Sequence, residues 1–213
     1  MPRLIAAIIR HGDYYQLPET PSAHQPFPLT DLGRQQASEA AASIRQALEE
    51  NGWQLWPGVD SSQLLRAWET AHIIETALGE LFSEQPRVTG FEALAERCVG
   101  SAANLSIAQI EQIIREDPRY DELPPDWKSN SQFRLPLQGA ESLLEAGERV
   151  AGHLQEQMNR LQANAEADTL KLFVGHGAAF RHAAHHLGVM DYEDIARLSM
   201  YHAQPVYLEY LPD

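Results

Sequence analysis

Leu4-Ile5-Ala6-Ala7-Ile8-Ile9-Arg10-His11-Gly12 is the stretch on which the fold turns. Its apolar run, Leu4 to Ile9, has no polar face, so a strand made of it is buried on both sides, as strands of parallel sheets are. The run is too short for a membrane span or the core of a secretory signal, which makes a cytoplasmic protein the expectation. A second stretch, Leu170-Lys171-Leu172-Phe173-Val174-Gly175-His176-Gly177, repeats the design, with Lys171 as its one polar interruption. Open α/β sheets bind ligands outside the carboxyl ends of their strands. Two neighbouring strands that each end in His-Gly would therefore set two imidazoles across one crevice. Glycine after each histidine lets the chain turn sharply and approach a ligand closely. Either histidine alone is more simply a strand-end residue; the pair, with Arg10 attached, points to a site.

Outward from these strands, the chain alternates. A polar, proline-bearing loop covers residues 13–28. Thr30 is a good helix N-cap, and Leu32, Ala37, Ala40, Ala41, Ile44 and Leu48 recur at helical spacing until Asn51-Gly52. A strand is expected at Pro57–Asp60, then a helix with Leu64, Trp68, Ala71, Ile74 and Leu78 on one face, then a brief extended segment at Pro86–Val88. Ser106 and Gln109 form a capping-box pattern for a helix reaching about Glu116, and Ser142 with Glu145 forms a second one. The second opens a helix carrying Leu144, Gly147, Val150, Ala151, Leu154, Met158 and Leu161. A further helix at Ala178–Leu187 and a strand at Pro205–Leu211 complete the order. The alternation predicts an α/β fold, a three-layer α/β/α sandwich around a mainly parallel (mixed) central sheet, as one domain over residues 1–213. The proline-rich stretch within residues 100–138 reads as a cap or lid.

Composition narrows the partners. The formal net charge of the 213 residues is −14, which argues against nucleic acid or an anionic membrane. A locally basic pocket for a small phosphorylated substrate is still compatible with that charge. The single cysteine, Cys98, excludes a disulfide framework and a cysteine-based zinc site; it reads as a structural thiol. His182, His185 and His186 share a helix, but no His-Glu-x-x-His arrangement accompanies them, so helix-surface or core packing is the reading and no metal is expected. Arg181 is expected to pair with acids on a neighbouring element. Trp53, Trp56 and Trp68 read as core or rim packing, and Trp127 as either packing or a wall of the substrate entrance.

Arg66, at the start of the helix after Ser61-Ser62, begins a second chemical cluster. Guanidinium groups bind phosphate oxygens in bidentate fashion, and helix N-termini favour anions. With this residue a resemblance emerges. Arg10-His11-Gly12 followed by Leu29-Thr30-Asp31-Leu32-Gly33-Arg34-Gln35-Gln36-Ala37 resembles the opening signature of the histidine phosphatase (phosphoglycerate mutase-like) superfamily. Ser61-Ser62 with Arg66-Ala67 and Glu69-Thr70-Ala71 is similar to its second signature. Leu94-Ala95-Glu96-Arg97 with Gly100 is similar to the segment that bears its proton donor, Gly139-Ala140-Glu141-Ser142 to its Gly-Glu-Ser segment with one residue inserted, and Gly175-His176-Gly177 to its second histidine motif.

The resemblance implies a role for each matched residue. His11 would attack phosphorus and become a phosphohistidine. Arg10, Arg66 and His176 would bind the substrate phosphate and stabilise the transition state. Glu96 would protonate the leaving oxygen and then activate water, with Glu92, four residues earlier, as the other candidate. Fixed cations in a dry site can replace a metal in such chemistry, so no cofactor is implied. The expected activity is a metal-independent phosphatase acting on a small phosphorylated substrate or a phosphoprotein. The alternatives are a phosphoglycerate mutase-type phosphotransferase and a non-catalytic phosphate-binding regulatory protein. Mutases of the family carry a lysine and an arginine pair after the proton donor. Ala102-Ala103-Asn104-Leu105-Ser106 lacks that lysine, and Arg115, Arg119, Lys128 and Arg134 are scattered. Asp13 and Leu17 also depart from the family pattern, which affects the pocket contacts.

Overall fold

The computed structural model describes residues 2–211. Five strands form one sheet: β1 (Leu4–Arg10), β2 (Gln54–Ser62), β3 (Arg87–Phe91), β4 (Thr169–Gly175) and β5 (Pro205–Tyr210), in the order β3-β2-β4-β1-β5. All pairings are parallel except that of β1 with the edge strand β5. The helices are α1 (Asp31–Asn51), α2 (Leu65–Ala77), α3 (Ile107–Glu116), α4 (Leu143–Gln162) and α5 (Gly177–His186).

The apolar run of β1 is explained by its two neighbours. Ile5, Ala7 and Ile9 pack into a core with Ala40, Ala41 and Ile44 of α1 and Ala67, Ala71 and Ile74 of α2. Leu4, Ala6 and Ile8 face the opposite core, with Val150, Leu154 and Met158 of α4 and Ala179, Phe180 and Ala183 of α5. Side chains alternate across a strand, so a strand sandwiched between two helical layers needs apolar residues at every position. Lys171, the polar interruption in β4, is buried with its Nζ 2.8 Å from Asp60 Oδ1 on β2. His153 Nε2–H of α4 donates to the other oxygen of Asp60 at 2.9 Å. The buried charge is thereby paired within the sheet.

Both expected capping boxes form, at Ser106/Gln109 and Ser142/Glu145. Gly52 ends α1 with φ 68°, a conformation in which glycine is favoured. Other expectations shift. β2 begins earlier than Pro57, with a register change between Leu55 and Val59 around that proline, which has no N–H for the ladder. β3 lies at Arg87–Phe91 rather than Pro86–Val88. The inward face of α2 is Arg66, Ala67, Thr70, Ala71 and Ile74, and Trp68 is exposed, stacked on His72. The helix is rotated from its apolar reading because the guanidinium of Arg66 turns inward.

Residues 99–140 leave the sandwich. They hold α3 and a small core of their own, with Val99, Ala102, Ile110, Trp127, Leu135 and Ala140 gathered with Ala23. Trp127 is 1% exposed and its Nε1–H donates to Glu111 Oε1 at 3.3 Å. It packs within this core and does not wall an entrance. Among the described residues, no helix is long and apolar enough to cross a membrane.

Candidate active site

β1 and β4 pair in parallel with Arg10 opposite Gly175, so His11 and His176 leave the sheet side by side. Their ring centroids are 5.1 Å apart, and both side chains are buried. Gly12 makes the turn possible. A Cβ there would lie 2.5 Å from Gly33 O, and a Cβ on Gly33 would collide with Asp13 O. The Arg-His-Gly turn and the first turn of α1 therefore touch backbone to backbone. Asp13 ties the same junction: its N–H donates to Gln36 Oε1 at 2.8 Å, and Thr30 Oγ1–H donates to its carboxylate at 2.7 Å.

Partners fix the protonation of both imidazoles. His11 Nδ1 lies 2.7 Å from Gly12 O. A carbonyl only accepts, so Nδ1 carries the proton and Nε2 presents a lone pair. Arg66 Nε–H donates to that Nε2 at 3.2 Å. Arg66 Nη2–H donates to His176 Nδ1 at 3.3 Å, so His176 Nε2 carries its proton and donates to Ser62 Oγ at 2.9 Å. Burial first, and Arg66 second, hold both histidines well below the ordinary imidazole pKa; each is a neutral imidazole at pH 7.

Arg66 is fully buried. Its Nη1 and Nη2 donate to Gln25 O at 3.0 Å and Ala23 O at 2.8 Å, which sets the plane of the fork. Thr70, one turn along α2, donates to Arg66 O at 2.7 Å and accepts from Gly12 N–H at 3.0 Å, so α2 also holds the Arg-His-Gly turn. Arg10 Nη1–H donates to Met200 O at 2.9 Å. Of the two candidate carboxylates, Glu92 is exposed, whereas Glu96 is buried and accepts from Arg97 N–H at 2.9 Å.

Two adjoining cavities meet at Glu96. The smaller, about 190 Å³, is lined by Arg10, His11, Gly177 and Met200. The larger, about 870 Å³, is lined by Arg97, His182 and residues 126 and 128–131 of the excursion. Ser22, Glu96, Ala178 and Arg181 line both. The five expected site residues thus converge on one region, with Glu96 at the seam.

Four residues of the site escaped sequence reasoning. Tyr14 lies under the guanidinium of Arg66 at 4.5 Å, meets His11 edge-on at 5.3 Å, and has its OH 3.1 Å from Ser22 Oγ. Ser62 and Thr70 were visible only as letters of a motif. His202, from the loop before β5, lies 5.6 Å from the His11 ring, and no local pattern marks it. Arg181 departs from expectation: it donates to the carbonyls of Gly177, Ile195 and Leu198 rather than to acids. The histidines of α5 do not share a centre. His182 meets Ser131 Oγ and Ala178 O, His185 Met190 O, and His186 Leu144 O.

Solved structures share this fold. A mycobacterial glucosyl-3-phosphoglycerate phosphatase is 23% identical with a TM-score of 0.68, covering 97% of this chain and 89% of its own. A protein described as mycobacterial hydrolase 1 is 23% identical with a TM-score of 0.69, covering 98% and 89%. The alpha-ribazole phosphatase of Shigella flexneri is 19% identical with a TM-score of 0.68, covering 95% and 89%. A search of curated proteins finds no match. The family model of the histidine phosphatase superfamily (branch 1) matches residues 6–213, and with the paired strand-end histidines in the arrangement its signatures imply, the chain belongs to that superfamily.

Proposed function

We propose that this protein hydrolyses a phosphomonoester without a metal, through a phosphohistidine on His11. The observation that carries the reading is the Nδ1–H bond of His11 to its own Gly12 carbonyl, which leaves Nε2 as a neutral lone pair inside a cationic pocket. Neutral imidazole is a competent nucleophile, and splitting one transfer into two lowers each barrier. In the first half, Nε2 attacks phosphorus, the P–O ester bond breaks, and Glu96 gives its proton to the departing alkoxide. The Arg66 Nε–H that faces Nε2 passes to a phosphoryl oxygen, Arg10 neutralises charge that spreads over the others, and His176 turns its Nε2–H from Ser62 Oγ to donate to one of them. In the second half, Glu96 takes a proton from water, the oxygen attacks phosphorus, and the N–P bond breaks to release inorganic phosphate.

The two cavities support the division of labour. A general acid for the leaving oxygen belongs between the phosphoryl site and the space for the alcohol, where Glu96 stands. The larger cavity is of a size that holds a small molecule, and residues 126 and 128–131 of the excursion on its wall support a cap role for residues 100–138 in substrate choice. That phosphatases of glucosyl-3-phosphoglycerate and of alpha-ribazole phosphate share the fold supports hydrolysis as the reaction class.

Incubation with 4-nitrophenyl phosphate, with and without EDTA, followed by alkaline denaturation to spare the acid-labile N–P bond, tests the reading. Phosphate is expected on His11 in the wild type and absent in His11→Ala, with turnover abolished in the variant and unaffected by chelator in the wild type. A phosphoenzyme that persists in His11→Ala, or turnover that demands a divalent ion, overturns the mechanism. Turnover to nitrophenolate only when an acceptor alcohol is supplied, with the phosphoryl group recovered as an ester of that alcohol and not as inorganic phosphate, would assign a phosphotransferase instead.

A further inference from the structure

His182 and Ser131 make a hydrogen-bonded relay that the phosphoryl chemistry leaves unused. His182, on α5, is buried. α4 passes it in backbone contact: a Cβ on Gly147 would lie 2.4 Å from His182 Cβ. The ring has two partners, with Nδ1 2.7 Å from Ala178 O and Nε2 2.9 Å from Ser131 Oγ. Burial, opposed by the bond to Ala178 O, holds its pKa below the ordinary 6.5, so at pH 7 the imidazole is neutral and carries one proton. A carbonyl only accepts, so that proton is on Nδ1 and Nε2 is an acceptor. The hydroxyl proton of Ser131 is therefore engaged with Nε2.

Ser131 comes from the excursion, where the chain is tied down on both sides of it. Ser129 and Asn130 N–H both donate to Asp126 O at 2.9 Å, and Asn130 Oδ1 accepts from Gln132 and Phe133 N–H at 3.0 and 3.2 Å. Ser131 O itself accepts from Leu144 N–H of α4 at 3.0 Å. Ser131 and His182 line the larger cavity and not the smaller, which puts them on the alcohol side of Glu96. Half-buried there, Ser131 Oγ offers the cavity lone pairs alone. An oxygen fixed as an acceptor pairs with an O–H or N–H and is left unpaired by a group that brings no proton. Lys128 and Arg181 on the same wall only donate. A group that both gives a proton and accepts one suits this surface, and among neutral groups a hydroxyl is the simplest.

We propose that Ser131, its proton held by His182, selects substrates whose leaving alcohol carries a further free hydroxyl: the monophosphate of a diol or polyol rather than of a plain alkyl chain. The inference rests on the phosphomonoesterase reading of the site and adds the class of substrate to it. Ser131 is the specificity-determining residue. His182 acts through it, as the positioning residue that keeps its proton turned away from the cavity.

The test uses 2-hydroxyethyl, 3-hydroxypropyl and 4-hydroxybutyl phosphate, each beside the esters in which fluorine or methoxy replaces the free hydroxyl. Fluorine is close to hydroxyl in size and gives no proton; methoxy brings lone pairs only. In the wild type, kcat/KM of the hydroxyl ester should exceed that of its fluoro partner by roughly three- to tenfold at one length or more, the scale of one neutral hydrogen bond. Ser131→Ala should bring the ratio to within about twofold of unity, and Ser131→Thr, which keeps a hydroxyl, should retain most of it. In His182→Phe the serine proton is free to turn into the cavity, so the methoxy ester should rise about threefold against the fluoro ester, a gain that lost packing does not produce. Because the wild type and Ser131→Ala are diagnostic by themselves, a poorly folding His182→Phe does not protect the idea. Equal kcat/KM for hydroxyl and fluoro esters at every length, or a preference undiminished in Ser131→Ala, overturns the role of Ser131 and leaves the phosphatase reading standing. So does turnover of 4-nitrophenyl phosphate with none of the hydroxyl esters hydrolysed. A folded His182→Phe in which methoxy gains nothing overturns the role of His182. Failure to hydrolyse any ester, 4-nitrophenyl phosphate included, overturns the reading beneath.

Discussion

The ends of β1 and β4 differ from residues 99–140 in how their side chains are held. At the strand ends, two histidines leave a parallel pair in register, and all four of their ring nitrogens have partners: Gly12 O, Ser62 Oγ, and the fork of Arg66 pinned by Gln25 and Ala23. The excursion has one ten-residue α-helix and a small core around Trp127, and it turns Lys128 and Ser129 to solvent. The contrast matches what the proposed hydrolysis would ask of each region. Phosphoryl transfer requires cations and nucleophile at fixed positions, which packed strands and helix ends supply. Recognition of an alcohol tolerates irregular structure and is free to vary, as loops on a rigid scaffold are.

The residue on the boundary gives the sharpest way to break that division. Glu96→Gln removes the proposed proton donor and leaves His11, Arg10, Arg66 and His176 in place. An alkyl phosphate, whose leaving oxygen needs the proton, should lose roughly 10²–10⁴-fold in kcat, the range of general acid catalysis. A nitrophenyl phosphate needs little protonation, so its phosphorylation of His11, read as the pre-steady-state burst of nitrophenolate, should fall far less. Equal loss of both would show that Glu96 holds the strand-end cluster together rather than serving the leaving group.

A second test acts on the excursion alone. Trp127 fills its core, so Trp127→Ala should cost about 3–5 kcal/mol of local stability, as large-to-small changes at buried aromatics do. Hydrogen exchange of α3 amides would read this. Turnover of nitrophenyl phosphate, measured below the unfolding transition, should stay within about threefold of wild type, on the small scale expected for a change that touches no reacting group. A loss comparable with that of Glu96→Gln would mean that the two regions are one functional unit.

What could be read from sequence follows the same boundary. Leu4–Ile9 and Leu170–Val174 announced buried strands because burial on two faces forces an apolar run, and the His-Gly ends followed from where such strands point. Thr30, Ser106 and Ser142 announced helix starts because caps are local chemistry. The rest depended on distant partners. Trp68 looked like core until the inward turn of Arg66 reset the face of α2. Arg181 looked like half of an ion pair, and its acceptors are main-chain carbonyls as far as Leu198, which no side-chain pattern encodes. His202 arrives beside His11 only because β5 runs antiparallel to β1, with Ala203 N–H on Arg10 O at 2.8 Å. Trp127 sat among prolines that suggested a surface, and the excursion has a core that periodicity could not show.

The smallest expected effect separates the regions by pH. His11 and His176 are buried as neutral imidazoles with pKa values held well below the ordinary 6.5, and burial lowers those of His182 and His202 as well. No histidine lies between residues 99 and 140. Above pH 6.5 the folded and unfolded states both hold these imidazoles neutral, and their stabilising contribution is complete. As pH falls through 6.5, the unfolded chain takes up protons that the folded molecule refuses. Stability is therefore lost, and the loss ends only below the depressed native values. Each histidine adds about 1.4 kcal/mol per pH unit to the slope while it is protonated in the unfolded state alone. Urea unfolding at intervals from pH 8 to pH 5 should show stability level at first and then declining below about 6.5. In His11→Asn the decline should be shallower by about one proton's worth, because the substitution removes one refused proton from the strand ends. In Trp127→Ala the whole curve should be lowered while its slope below pH 6.5 stays that of the wild type, since the substitution disturbs a segment without imidazoles. A slope that flattened in Trp127→Ala and not in His11→Asn would show that the neutral histidines owe their burial to the excursion, and the two regions would then have to be treated as a single cooperative site.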